Sequence, residues 1–210
     1  MSGPMEVVGL EHSEEKKKKT EPKLSWEKTV LLYMHDMICI LAIVLVLFSV
    51  FFREAVVSGS SMYSTLLDGD YLLLVSNLFY PNPKQGDIIV VSKESFENGV
   101  PIVKRIIATE GQTVDIDFEA GIVYVDGEAL QESYTNTPTN LREGVEFPLT
   151  VEENCVIALG DNRNNSRDSR SPEIGQIDKR EILGKAIFRF LPGPDAQTEK
   201  RDLSRIGVIR

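Results

Sequence analysis

Histidine is almost missing from this chain: the 210 residues contain two, His12 in a charged stretch and His35 at the edge of an apolar run. After residue 35 there is none, so a serine nucleophile in that part would have to take a carboxylate or a lysine as its base. Cysteine is equally scarce. Cys39 sits in the apolar run and Cys155 in a later strand-like segment, which predicts neither a disulfide nor thiol chemistry. With no CxxC and no Cys/His cluster, a structural zinc site is not expected. An excess of basic residues is lacking too: 23 Lys and Arg face 32 Asp and Glu, a net charge of −9. That argues against nucleic acid as a partner, because phosphate binding needs a basic face. Beyond Phe52 there is no helix-period stretch of useful length and no internal repeat.

What is present divides into three parts. Residues 1–29 are polar, carry the run Lys16 to Lys19 and show no apolar periodicity, so they read as a disordered tail. Val30 to Phe52 is an apolar stretch broken only by His35 and Asp36 near its start. As a helix it would span roughly 35 Å, enough to cross a bilayer with some tilt. Its exit, Val50-Phe51-Phe52-Arg53-Glu54, lacks the small-residue site of a cleaved leader, so a retained anchor is expected. Lysines 16–19, 23 and 28 before it, against Arg53 after it, place the N-terminus in the cytoplasm and residues 53–210 outside. That last part is expected to be one mainly β domain. Tyr71–Val75, Asp87–Val91, Ile102–Ala108, Thr113–Asp117, Ile122–Val125, Cys155–Leu159 and Gly184–Phe190 read as strands, bounded by glycine and proline.

Within the β part, Gly59-Ser60-Ser61-Met62-Tyr63-Ser64-Thr65-Leu66 looks like a serine presented on a turn. Lys104 lies in Ile102-Val103-Lys104-Arg105-Ile106-Ile107 and, by strand alternation, shares a face with Ile102 and Ile106. An ordinary lysine, of pKa roughly 10.4, is neutral about once in two thousand molecules at pH 7. Burial in an apolar strand disfavours the ammonium form and can lower that pKa by about two to three units. Arg105 cannot serve, because guanidinium does not deprotonate. The pattern therefore points to a Ser/Lys hydrolase; taken alone, Lys104 also fits a lysine whose stem snorkels to water. A third segment runs Gly160-Asp161-Asn162-Arg163-Asn164-Asn165-Ser166-Arg167-Asp168-Ser169-Arg170. Read alone it is a solvated polar loop; a calcium loop fails, because Arg163 and Ser166 stand where an oxygen ligand and a glycine are wanted.

Together and in this order behind an anchor, the three segments resemble the bacterial type I signal peptidases, whose patterns are S-M-x-P-T-L, K-R and G-D-N-x-x-x-S-x-D-S-R. The resemblance spans about residues 40–193. It implies a signal-peptidase-like β-barrel or sheet catalytic domain behind one transmembrane helix. It further implies Ser61 as nucleophile, Lys104 as general base, and Ser166 as the hydroxyl that orients the lysine. Asp161, Asp168 and Arg170 would hold the active-site loop through an ion pair and hydrogen bonds. The oxyanion would meet the Ser61 backbone N–H; the hydroxyl found two residues earlier in some members is Gly59 here. Ser64 replaces the family's proline, and Ala108 to Gln112 keeps only one glycine of G-x-P-G-D.

The resemblance implies a membrane-bound, monomeric endopeptidase that cuts signal peptides from exported preproteins and needs no metal or organic cofactor. An extended substrate would add as a strand, with Val57, Met62, Leu66, Ile102 and Val103 as candidates for lining shallow pockets. Two other readings stand beside it. A Ser/Lys self-cleaving regulator shares the chemistry but would carry a DNA-binding helical region in place of an anchor. A catalytically silent relative would bind export substrates without cutting.

Overall fold

The computed structural model describes residues 25–195 and 198–209. Most of the tail, residues 1–24, therefore lies outside the described part. By contacts the chain divides into two units, residues 1–43 and 44–210.

One helix, α1, runs from Trp26 to Phe51. It is 26 residues long and contains an 18-residue window of mean hydropathy 2.5, long and apolar enough to cross a membrane. It begins four residues before the expected Val30, because polar Glu27, Lys28 and Thr29 satisfy helical bonding as well as apolar residues do. The Thr29 N–H and hydroxyl both donate to the Ser25 carbonyl, at 3.0 and 3.2 Å. Glu27 also complements the positive end of the helix dipole. The helix ends at Phe51 because Phe52 already pairs with Val75 in a sheet.

Among the described residues twelve strands follow: β1 (Phe52–Val56), β2 (Tyr71–Ser76), β3 (Ile88–Val91), β4 (Ile102–Thr109), β5 (Thr113–Asp117), β6 (Ile122–Val125), β7 (Glu128–Ala129), β8 (Leu149–Thr150), β9 (Cys155–Leu159), β10 (Ile177–Asp178), β11 (Ile182–Leu191) and β12 (Gly207–Val208). All seven strands expected from the sequence are among them, within a few residues at their ends. The larger sheet has the order β1-β2-β11-β3-β4-β9-β10, with β12 on β11, and the smaller the order β7-β6-β5-β8. The paired strands are antiparallel. The expected barrel-or-sheet domain is thus a pair of antiparallel sheets, the larger left open between β1 and β10.

Strand β4 is the hinge of the architecture. It lies between β3 and β9, with Lys104 opposite Ile89 and Arg105 opposite both Ile88 and Leu159. Alternation sends consecutive residues into different cores, until a register shift between Ile106 and Ala108 leaves Ile107 and Ala108 in the same one. Ile106 joins Ile89, Val91, Ala158, Ile174 and Ile182. Ile107 joins Val114, Val123, Val151 and Leu159 beneath the smaller sheet. A third core gathers Val57, Met62, Leu66, Leu72, Leu74, Ile88, Val90 and Val103 under the turn between β1 and β2. That turn carries Ser61. Cys39 and Cys155 are both free.

Candidate active site

The turn from Val57 to Asp70 is pinned at its base and open at its tip. Val57 donates to the Asp70 carbonyl and Gly69 donates back to Val57, at 2.9 and 2.8 Å. Inside, the Gly59 N–H donates to Asp68 Oδ1 at 2.8 Å, and the fully buried Met62 and Leu66 anchor the far side in the core. Gly59 has φ of +85° with open space where a Cβ would stand. Backbone conformation, not crowding, therefore selects glycine there. Ser64 donates to Asn136 Oδ1 at 3.3 Å, and Asn136 Nδ2 donates to the Tyr63 carbonyl at 3.0 Å. Hydrogen bonds to a neighbouring loop restrain the segment where a proline ring would restrain it from within.

Lys104 reaches this turn from β4. Its Nζ donates to Ser61 Oγ at 2.9 Å and to the Val103 carbonyl at 3.0 Å. The lysine is 2% exposed, and burial lowers its pKa from 10.5 to about 8. Asp168, Glu143 and Asp161 oppose that fall, while Arg170 adds to it. At pH 7 a pKa of 8 leaves about one molecule in ten with a neutral amine, a gain of a few hundred-fold over an ordinary lysine. The Ser61 N–H donates no hydrogen bond among the described residues, so it is available to an incoming oxyanion.

The polar segment after β9 folds over both groups. Asn162 donates to the Ser61 carbonyl through its N–H, at 2.9 Å, and to the Ser60 carbonyl through its side chain, at 3.0 Å. Asn165 Nδ2 donates to Ser60 Oγ at 2.9 Å. Arg170 and Asp168, neither with measurable exposure, form a two-pronged pair at 2.8 Å on each arm, and the Gly160 N–H also donates to Asp168. A second two-pronged pair joins Arg105 to Asp161 at 2.8 and 2.7 Å, with Thr65 donating to the same carboxylate at 2.5 Å. Ser166 is buried beside the site, but its hydroxyl has no hydrogen-bond partner. A Cβ on Gly160 would stand 2.1 Å from Ser166 Oγ and 2.6 Å from the Ser61 carbonyl oxygen. Only glycine permits that approach.

The family model described as signal peptidase, peptidase S26, matches residues 30–191. The chain belongs to that family. Among the relatives it resembles is the probable signal peptidase I-1 of Synechocystis sp., 38% identical over 161 residues, covering 72% of this chain and 78% of the relative. Signal peptidase I T of Bacillus subtilis is 33% identical over 184 residues, covering 84% and 89% respectively. Signal peptidase I of Bacillus licheniformis is 32% identical over 182 residues, covering 82% and 95%.

Within this signal peptidase family chain, four of the five pocket candidates, Val57, Met62, Leu66 and Val103, lie in one core beneath Ser61. The fifth, Ile102, packs against the core containing Ile106 and Ile89, on the face opposite Val103 as strand alternation requires. A cavity of about 560 Å³ opens at Ser61, lined by residues 58–61, 141, 143, 164–167 and 171, and by none of the five. Three residues near the site escaped sequence reasoning. Glu132 takes both arms of the buried Arg163, Tyr134 lies 4.0 Å beneath the Arg105 guanidinium, and Glu143 lines the cavity. All fall in the patternless stretch between β7 and β8, where only tertiary structure shows what a polar residue faces.

Proposed function

We propose that this chain is a membrane-anchored serine endopeptidase that removes signal peptides from exported preproteins, with Ser61 as nucleophile and Lys104 as general base. The observation that carries this reading is the 2.9 Å contact between Lys104 Nζ and Ser61 Oγ, made by a lysine whose burial brings its pKa to about 8. The names of the family relatives supply the substrate class.

In the neutral form the contact reverses: Lys104 Nζ accepts the proton of Ser61, and Oγ attacks the carbonyl carbon of the scissile bond. Negative charge develops on the carbonyl oxygen, where the Ser61 N–H can meet it. Collapse breaks the C–N bond, and the Lys104 ammonium returns the proton to the leaving amine. A water then gives its proton to Lys104 and attacks the acyl-serine ester, freeing the signal-peptide carboxylate and Ser61. Asp161 and Asp168 act through their arginines, holding β4 and the polar loop in place. Ser166 is assigned to the ammonium state of Lys104, which gains a third acceptor if the hydroxyl turns toward it. Helix α1 is the anchor, with the lysine-rich tail cytoplasmic and residues 53–210 on the outer side.

The test is cleavage of a synthetic signal-peptide substrate by the detergent-solubilised full chain. Ser61→Ala, Lys104→Ala and Lys104→Arg should each abolish it, the last because arginine keeps the charge yet accepts no proton. A wild-type chain that binds the peptide without cutting it would instead be the silent relative.

A further inference from the structure

Glu143 is the one acidic side chain lining the Ser61 cavity. Its side chain is 10% exposed, and neither carboxylate oxygen closes a hydrogen bond. A buried carboxylate approached only by the Asp168 N–H and one guanidinium arm is costly. The nearest counter-charge is Arg170 Nη2, 3.4 Å away, but Asp168 already takes two arms of that guanidinium. One arginine therefore faces two carboxylates; the exposed Arg167, which also reaches Glu143, is paired with Glu173 at 3.0 Å, and the buried cation within electrostatic reach of both carboxylates is Lys104. Two negative charges are balanced when Lys104 is an ammonium and unbalanced when it is neutral.

We propose that Glu143 is a positioning residue for the dyad: its buried carboxylate supplies the second negative charge that steadies the ammonium form of Lys104 across Arg170. This rests on Ser61 and Lys104 being the reacting pair. The groups facing Glu143 are Asp168, Arg170, the exposed Arg167 and Lys104; those facing Lys104 are Asp168, Asp161, Arg170 and Glu143. Burial, and then the charge of Asp168, raise the pKa of Glu143. Loss of a Lys104 proton and gain of one by Glu143 therefore favour each other. Removing the carboxylate leaves Lys104 with less to hold its proton, so its neutral, reactive form extends to lower pH.

The test compares wild type, Glu143→Gln, Glu143→Asp and Glu110→Gln, the last an exposed carboxylate paired with Lys179, all as full chains in detergent. The pH dependence of kcat/KM for a signal peptide is read beside the pH dependence of Lys104 acetylation by trace acetic anhydride, quantified by mass spectrometry. Glu143→Gln should move the acid limb and the acetylation inflection together to lower pH by about half a unit or more, a roughly three-fold gain in rate on that limb. Glu143→Asp should return both toward wild type, and Glu110→Gln should move neither. Limb and inflection unmoved in Glu143→Gln would overturn the proposal, whether or not melting falls, because the residue would then only pack. If the wild-type chain cuts nothing yet the inflection shifts, the peptidase reading fails and the charge coupling stands.

Discussion

Replacing Lys104 by methionine isolates the cost of keeping an ammonium group inside this fold. Lys104 is 2% exposed, and its pKa falls from 10.5 unfolded to about 8 folded. Below pH 8 the lysine is charged in both states, and the folded state bears the full penalty, about 3 kcal/mol for that displacement. Between pH 8 and 10.5 the unfolded chain binds more protons than the folded one, so wild-type stability rises with pH and the penalty disappears. Methionine has a similar stem and no charge. Losing the two hydrogen bonds of Nζ offsets about 2 kcal/mol of this, leaving a net gain of about 1 kcal/mol at pH 7 and a melting temperature higher by roughly 2–4 °C. The variant should be inactive. The only tryptophan, Trp26, lies in α1, so circular dichroism of the β signal is the better reporter of the catalytic part. Melting would be followed in detergent across pH 7 to 10, and the gain over wild type should shrink as pH rises through the upper half of that range. A Lys104→Met protein no more stable at pH 7, or with a gain flat in pH, would refute the reasoning from burial.

Four further outcomes are expected. Gly160→Ala should cut turnover by roughly a hundred-fold or more, because its Cβ would displace both Ser166 Oγ and the Ser61 carbonyl and about 1 Å of misplacement costs that much; steady-state rates near wild type would contradict this. Ser166→Ala should melt like wild type, its hydroxyl having no partner to lose, while turnover falls about ten-fold or more; Asp168→Ala should lower melting as well, since it strands the fully buried Arg170 at about 3–5 kcal/mol. External protease on spheroplasts should reach residues 53–210 and spare an epitope placed in the lysine-rich tail, and digestion of that epitope would reverse the topology.

Where each residue's role depends on its immediate neighbours in the chain, the sequence was readable. The alternation or continuity of apolar residues located seven strands, and the run after residue 30 located the helix. Two-residue strands such as β7, β8, β10 and β12 are too short for any period to show. Strand β1 was concealed because Phe52 and Val56 continue the apolar texture of the helix before it. Strand alternation places the two pocket candidates Ile102 and Val103 on opposite faces, and Ile102 accordingly packs against another core. Lys104 and Ser61 stood out through the missing histidine, but Glu132, Tyr134 and Glu143 gave no signal. Their partners are 31 residues away for Glu132, in a loop whose path no local rule dictates.

The chain passes from helix to sheet without a linker: Phe51 is the last helical residue and Phe52 the first in β1. Ser61 follows nine residues later, a span of at most about 30 Å of extended chain. In the proposed anchored enzyme the nucleophile is therefore on a short leash, and the leash works as a ruler. A peptide bond is cut only if it can be presented within that reach of the bilayer surface, however well its side chains fit. Lengthening the polar stretch between a substrate's own apolar segment and its cleavage site would eventually carry the bond out of range, so distance from the membrane would act as a second criterion of substrate choice, set by chain connectivity alone.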